Sequence, residues 1–171
     1  LETLGAERLA DLLMAATAGD SNLKRRLRLV LAAEAGSSDL AVEIDKRLTA
    51  LATSRTRISW RKRPELLSDL RVHLTAITGP LALAEPLVAI ERLVVWFDLY
   101  PGLSERVKDP KGEMVEMFRQ AADDLAELAN RVEPDQVATL LAEAIETRLS
   151  EWAGWIGRAA SLLDEPVATR L

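Results

Sequence analysis

The chain has 171 residues, no cysteine and a formal net charge of −5 at pH 7. This length suits one domain with a sizeable core, and the lack of cysteine excludes disulfides, thiolate metal sites and cysteine nucleophiles. Leu and Ala dominate while aromatic residues make up 4%, which favours helices because strands prefer β-branched and aromatic residues. The longest apolar run, residues 93–97, is too short to span a membrane.

Charge is distributed unevenly along the chain. Residues 1–80 carry 13 basic and 10 acidic residues, whereas residues 81–171 carry 9 and 17. A basic end and an acidic end could attract each other head to tail or meet different partners. The plainer interpretation is that these charges lie on solvated helix faces.

Leucines at helical spacing predict the first two helices, over residues 4–18 and 21–35, with Asp20 as the N-cap of the second. The inner stripe of the first is predicted to be Leu9, Leu12, Leu13 and Ala16. That of the second is predicted to be Leu23, Leu27, Val30 and Leu31.

Four cations crowd the start of the second helix: Lys24, Arg25, Arg26 and Arg28. They oppose the helix dipole, which favours anions at this end, so they are expected to serve something other than helix stability. Salt bridges to acidic residues of a neighbouring helix are one interpretation, and a binding surface, of which Lys24, Arg25 and Arg28 are the candidates, is the other.

Two more helices follow. One comes after the turn at residues 36–39. The other covers residues 64–77, starts at Pro64 and is predicted to be stopped by Gly79 and Pro80. The inward residues of the former are predicted to be Leu40, Ile44, Leu48 and Leu51. Those of the latter are predicted to be Leu66, Leu70, Leu74 and Ile77.

Between these helices lies the longest non-helical stretch, residues 55–63, here called the connector. Ile58 and Trp60 alternate with polar residues, which predicts an extended segment that places both side chains in a groove. The candidate partner-binding residues here are Arg55, Arg57, Trp60, Arg61, Lys62 and Arg63.

Several interpretations of the connector remain open. Trp60 could be buried between the flanking helices while the arginines bond helix carbonyls and carboxylates. The cations could instead meet an acidic protein partner or a membrane surface. They could also contact nucleic-acid phosphates while Trp60 stacks on a base, although the acidic chain as a whole argues against that.

Residues 86–100 are apolar at eleven of fifteen positions, so we predict a central helix that is covered on most sides and ends at Pro101 and Gly102. A helical turn over 103–108 and a loop over 109–112 follow. A helix over residues 113–131 has Val115, Phe118, Ala122, Leu125 and Ala129 inward and an acidic outer face of Glu116, Asp123, Asp124 and Glu127.

The next helix begins at Pro134, and a turn at residues 152–157 leads to a last one. The inward residues of the former are predicted to be Val137, Leu141, Ala144, Ile145, Leu149 and Trp152. Those of the last are predicted to be Ile156, Ala159 and Leu163.

The helices fall into pairs near residues 4–35, 39–78, 86–131 and 134–164. This spacing predicts an all-α fold, an irregular antiparallel array of helix hairpins like a HEAT-type α-solenoid, with a compact multi-helix bundle as the alternative. The chain starts at Leu1 rather than Met, and a cap-and-proline pattern at 164–166 precedes its end. We therefore expect a single helical domain, or a fragment of a longer helical-repeat protein.

No pattern of catalytic chemistry is present. His73, one turn after Asp69, has no evident partner for general-base work and is interpreted as a half-buried structural residue. Asp123, Asp124 and Glu127 lack the Glu-x-x-His pattern of bundle metal sites, and no Gly-x-Ser-x-Gly motif occurs. We expect no enzymatic activity, cofactor or metal in this chain.

Much of the chain, in order, resembles a bacterial family known as domain of unknown function 6880. The segments that carry the resemblance are LETLGAERLADLL (1–13), GDSNLKRRLRL (19–29), RL (47–48), SRTRISWRKR (54–63), GPL (79–81), WFDL (96–99) and SERVKDPKG (104–112), with Val115 and Phe118. It departs at residues 108–111, where that family has an acidic, serine-rich turn. The resemblance implies longer, helical, cytoplasmic proteins without an assigned activity, and it implies no catalytic residues.

Together these observations predict a non-enzymatic helical scaffold or protein-interaction module with an as yet unidentified protein partner. Its contacts would come from the connector and from the cations at residues 24–28. A nucleic-acid-associated protein that binds through the connector is the alternative.

Overall fold

The computed structural model describes residues 5, 8, 11–13, 15 and 19–171, and the side chains at all of these except 148–153 and 156. The predicted first helix, residues 4–18, lies largely outside the described residues. Over the rest the chain is helical, so the all-α prediction is confirmed. In chain order the elements are α1 (Ser21–Ala35), α2 (Ser37–Thr53), α3 (Arg63–Ala76), a π-helical turn (Ile77–Leu81), α4 (Ala82–Ala84), α5 (Pro86–Phe97), α6 (Leu99–Arg106), α7 (Glu113–Ala129), α8 (Pro134–Ala160) and α9 (Glu165–Ala168).

Helix α1 begins as predicted but turns a different face inward. Asp20 Oδ1 accepts the N–H groups of Asn22 and Leu23, both at 3.0 Å, as an N-cap should. The buried pair is Leu29 and Ala32, whereas Leu23, Val30 and Leu31 of the predicted stripe are exposed. That stripe is wrong because α1 packs against both α2 and α3, and the i, i+3 pair Leu29 and Ala32 lies on the face between them.

The leucine stripes of α2 and α3 are confirmed. All eight predicted inward residues are buried: Leu40, Ile44, Leu48, Leu51, Leu66, Leu70, Leu74 and Ile77. Three- and four-residue spacing puts each set on one face of its helix, so these faces provide a large part of the core between α1 and α5.

The predicted stop at Gly79 and Pro80 is wrong. The backbone stays helical there and passes through a π-helical turn, Ile77–Leu81, with Pro80 inside it, before α4. Proline removes one N–H and its ring clashes with the carbonyl four residues back. The wider π turn is a common way to absorb such a defect within a helix.

Helix α5 is the central helix, as predicted. It packs against α2, α6, α7 and α8, and the side chains of Ile90, Leu93, Trp96 and Phe97 are fully buried or nearly so. The predicted end at Pro101 is wrong, because α5 ends at Phe97 and Pro101 lies in the first turn of α6, where a missing N–H costs nothing.

Aromatic rings join the central helix to the elements around it. Phe118 on α7 lies 5.4 Å from Trp96, 6.3 Å from Phe97, 5.0 Å from Tyr100 and 5.9 Å from Trp155 between ring centroids. These separations fall in the favourable range for offset and edge-to-face pairs. One side chain therefore ties α5, α6, α7 and α8 together.

Helix α7 starts from a capped loop. Asp109 accepts the N–H groups of Glu113, Met114 and Val115 at 3.0, 2.9 and 3.2 Å. Gly112 adopts φ 67°, a left-handed conformation that favours glycine. On α7 the predicted residues Phe118, Ala122, Leu125 and Ala129 are buried, while Val115 is half-buried.

Helix α8 is continuous from Pro134 to Ala160, so the predicted turn at residues 152–157 is wrong. Gly154 and Gly157 each cost a helix about 1 kcal/mol relative to alanine, and packing of α8 against α7 and α9 offsets this. Val137, Leu141 and Ala144 are buried as predicted. The predictions for the Leu149, Trp152 and Ile156 side chains lie outside the described residues.

The packing partners differ in part from the predicted hairpins. The most extensive contacts are those of α1 with α2 and of α7 with α8, and α2 packs more closely on α5 and α6 than on α3. The elements thus gather around α5. Among the described residues, no helix combines the length and the apolar character needed to cross a bilayer.

Candidate functional site

The connector is fixed to the fold at one point. The Ile58 N–H donates to the Arg106 carbonyl at 3.0 Å, within an isolated parallel bridge between Ile58 and Val107. The Ile58 side chain is half-buried against the core. The predicted inward Ile58 is therefore confirmed, and so is the extended backbone around it. From Trp60 to Lys62 the prediction is wrong, because the chain turns there and the N–H groups of Lys62 and Arg63 both donate to the Ser59 carbonyl at 3.0 Å.

Arg106 meets the helix carbonyls that the sequence assigned to the connector arginines. Its Nη2 donates to the Leu51 carbonyl at 2.5 Å, in the last turn of α2, and its Nε donates to the Gly102 carbonyl at 3.1 Å. Burial, with a smaller effect from Arg47, lowers the pKa of Arg106, but a guanidinium stays charged in proteins. Since Arg106 takes this role, the connector arginines are left for other contacts.

Trp60 lies on the surface rather than between the flanking helices. It is 78% exposed, so the interpretation that it is buried is wrong, and so is the predicted insertion of its side chain into a groove. The Arg61 guanidinium carbon lies 5.1 Å from the centroid of its ring, which is cation–π distance. An exposed tryptophan is unusual, because tryptophan side chains are highly buried on average.

Four cations accompany this tryptophan on the surface. Arg55, Arg57, Arg61 and Lys62 are exposed, and none forms an ion pair with a residue that the structure describes. We call these four and Trp60 the connector surface. Arg63 is set apart from it, because Arg63 forms a salt bridge with Glu113 and its Nε is buried without a hydrogen-bond partner.

A cavity of about 800 Å³ adjoins the connector surface. It lies between the connector and the loop that leads to α7. Arg57, Trp60 and Arg63 line one side, and Ser104, Lys108 and Asp109 line the other. The volume is within the range of small-molecule and peptide side-chain pockets.

The cations at residues 24–28 separate into two groups. Arg25 donates from Nε to Asp69 Oδ1 at 2.8 Å, so salt bridging to a neighbouring helix, one of the two interpretations of the sequence, applies to it. Lys24 is half-buried and Arg28 is exposed, and neither has an ion pair with a described residue. Lys24 and Arg28 therefore stay as binding candidates.

Asp69 is the centre of a charged cluster that the sequence did not predict. Its carboxylate is 1% exposed and accepts Arg25 Nε on one oxygen and Arg47 Nε, at 2.7 Å, on the other. Arg47 Nη2 bonds the same oxygen as its own Nε. Two guanidinium groups compensate the desolvation of this carboxylate and fasten α1 and α2 to α3.

His73 completes this cluster. It is 2% exposed, more buried than the half-buried residue predicted. Its Nδ1 lies 2.8 Å from the Asp69 carbonyl oxygen and 3.4 Å from Asp69 Oδ1. Burial lowers the pKa of His73, opposed by Asp69, so the ring is neutral near pH 7 and Nδ1 donates to the carbonyl.

The acidic face of α7 is partly engaged. Asp123 accepts Nε and Nη2 of Arg158 on α8 at 2.5 and 2.6 Å, and this contact raises the pKa of Arg158. Burial raises the pKa of Asp124. Over the part of the chain that the structure describes, no three acidic or histidine side chains are placed to hold a metal ion.

Comparison with family models now gives the family. The model of a family of unknown function, DUF6880, matches residues 1–167. The chain belongs to DUF6880. Comparison with curated proteins and with solved structures gives no match. The resemblance seen in the sequence is thereby confirmed, and membership of DUF6880 adds no functional residue to those that the geometry supplies.

Sequence reasoning missed Asp69, Arg47 and Arg106. Asp69 lies 22 residues from Arg47 and 44 from Arg25, so no local pattern joins them. The one available signal was an aspartate four residues before a histidine among buried leucines, which places two polar groups on an apolar helix face. Buried polar groups require partners, and the arginines predicted on the preceding helices, Arg25 and Arg47 among them, were candidates for that role.

Proposed function

We propose that this DUF6880 chain is a non-enzymatic protein-interaction module of the bacterial cytoplasm. Its connector surface would bind an acidic segment of a partner protein. The observation that carries the proposal is Trp60, which is 78% exposed, has Arg61 5.1 Å from its ring centroid and shares its segment with three more exposed cations. Tryptophan and arginine are the residues most enriched in binding hot spots, and an apolar ring amid positive charge suits a partner that offers both carboxylates and an apolar side chain.

The backbone beneath this surface supports the proposal. The bridge from Ile58 to Val107 holds the middle of the connector against the end of α6. Arg106, at that same end, is bonded to the Leu51 carbonyl of α2. A surface held in place loses less conformational entropy on binding than a free loop. The adjoining cavity gives a partner side chain room beside the tryptophan.

For the frame that presents this surface we propose an irregular helix array of the HEAT-like type. Sequential pairing of α1 with α2 and of α7 with α8 supports it. A compact multi-helix bundle is the alternative, and the contacts of α5 with α2, α6, α7 and α8 are the observation that supports it.

A labelled peptide tests the interaction. The probe is a fluorescein-labelled decapeptide of glutamate, aspartate and leucine, titrated by fluorescence anisotropy at low salt. Trp60→Ala is expected to weaken binding at least tenfold, which corresponds to about 1.4 kcal/mol. Arg55→Ala with Arg57→Ala is expected to weaken it and to lower its salt dependence.

The matched control removes two exposed cations elsewhere. Arg119→Ala with Arg131→Ala changes the net charge equally, on α7 and just after its end, where each arginine pairs with a glutamate of α7. Equal binding by the connector variants and this control would show that only total charge matters, and the proposal would be wrong. Absence of peptide binding by the wild-type chain would also count against it.

Nucleic-acid binding is the second candidate, favoured by the same pairing of an exposed aromatic ring with cations. Stacking of a base on Trp60 and contacts of Arg55 and Arg57 to phosphates would be the mechanism. A labelled single-stranded oligonucleotide in the same assay decides between the two. Binding of the oligonucleotide at about 50 mM salt, with a steep loss as salt rises, and none of the peptide would replace the first proposal by the second.

A further inference from the structure

A small cavity lies between α1, α2 and α3, away from the connector. Its volume is about 250 Å³, room for roughly eight water molecules at about 30 Å³ each. The polar residues that line it are Arg25, Arg28, Glu43, Lys46, Arg47 and His73. It is below the usual size for drug-sized ligands and suits a small ion or one terminal group.

Positive charge exceeds negative charge at this cavity. Four cations line it, and three carboxylates compensate them. Glu43 pairs with Lys46 at 2.5 Å, Asp69 lies behind Arg25 and Arg47, and Glu65 Oε1 lies 3.9 Å from Arg25 Nη2. Arg28 forms no ion pair with any described residue. One positive charge, that of Arg28, is therefore left over, and it favours an anion in the cavity.

The two inner arginines are already positioned. Asp69 holds both by Nε, at 2.8 and 2.7 Å, while each side chain remains 25% exposed. The Nη1 group of each arginine donates to no described residue. Neither Nη1 is a buried atom without a partner, because the described side-chain atoms of that kind belong to Arg63 and Trp96. Both Nη1 groups are therefore accessible for a ligand, without cost in ordering the side chains.

We propose that this cavity is an anion site that binds a phosphate dianion, either free or as the terminal group of a small phosphomonoester. Guanidinium groups match the geometry of phosphate oxygens and form strong charge-assisted bonds with them. Arg25 and Arg47 form the base of the site, and Arg28 closes it from α1. The site is independent of the connector surface.

His73 provides a direct readout, because it is the single histidine of the chain and is among the residues that line the cavity. The full chain is titrated with inorganic phosphate, and in a second arm with O-phosphoserine, while chloride holds the ionic strength constant. We expect a saturable shift of the NMR signals of the His73 imidazole ring in at least one arm. A shift with phosphate alone indicates a free ion, and a stronger response to phosphoserine indicates a phosphomonoester.

Arg28→Ala is the test variant, because Arg28 is exposed and its loss leaves the Asp69 cluster intact. Arg119→Ala removes one exposed cation on α7 and is the matched control, and a thermal melt by circular dichroism checks that both fold. Arg28→Ala is expected to weaken phosphate binding about tenfold, and Arg28→Lys to restore part of it. No saturable shift in either arm, or equal weakening in both variants, would overturn the proposal.

Discussion

Asp69 shows how much of this structure depends on single polar residues. It is a carboxylate inside a leucine-rich core, and it is tolerated there because Arg25 and Arg47 reach it from two other helices. An ion pair of this kind adds less net stability than its Coulomb energy suggests. Removal of one partner of such a pair, however, leaves the charge of the other partner without compensation.

Asp69→Ala is therefore expected to destabilise the protein by roughly 3 kcal/mol, the low end for a broken buried pair, because the two arginine side chains are 25% exposed and water can reach them. The measurement is urea unfolding. Asp45→Ala is the matched control, since Asp45 also pairs with an arginine, Arg92, but its side chain is 44% exposed, so a loss of less than about 1 kcal/mol is expected. Similar losses for the two variants would show that burial of Asp69 is not what matters.

At the scale of the element, prolines and caps decide where helices begin and end. Pro80 and Pro101 read as stops in the sequence, yet one lies inside a π-helical turn and the other in a first helical turn. Only the backbone shows which of these positions a proline occupies. Caps behave likewise, because both Asp109 and Asp164 precede a helix, but of the two only Asp109 accepts backbone N–H groups with its side-chain carboxylate.

Asp109→Ala is expected to cost about 1–2 kcal/mol of unfolding free energy, because three N–H groups at the start of α7 lose their acceptor. Asp164→Ala removes the aspartate directly before α9, where no side-chain cap bond exists, and is expected to change stability by less than about 0.5 kcal/mol. Chemical denaturation of both variants, followed by circular dichroism, provides the comparison. A loss at Asp164 as large as that at Asp109 would contradict the assignment of the cap.

At the scale of the molecule, periodicity in the sequence predicted the helices better than it predicted their arrangement. The stripe from Leu40 to Leu51 is buried as expected, because a run of leucines at helical spacing has one way to leave water. The partner of each stripe is not encoded locally, so the contacts of α2 with α5 and α6 were not foreseen. For the same reason the connector was recognised in the sequence, but the exposure of Trp60 was not.

Global stability is expected to fall in mild acid because of His73. Burial holds the pKa of His73 below its ordinary value of 6.5 in the native state, and unfolding returns it to that value. The unfolded chain therefore binds more protons between the two values, so this contribution to stability is present above pH 6.5 and is lost as pH falls towards the native pKa.

Urea unfolding between about pH 7.5 and 5.5, with His73→Gln beside the wild-type chain, measures this effect. The stability of the variant is expected to change less over that interval. A native His73 that titrates at or above 6.5 by NMR, or equal pH dependence in both chains, would contradict the expectation.

The exposure of Trp60 gives the connector surface its own optical reporter. Of the other tryptophans whose side chains the structure describes, Trp96 is fully enclosed in the core and Trp155 is half-buried. An anionic quencher such as iodide should therefore reduce the emission of Trp60 before theirs, all the more because the neighbouring guanidinium and ammonium groups concentrate anions around that ring. A molecule that docks on the connector would shield this fluorophore, and occupancy could be followed without attaching any dye.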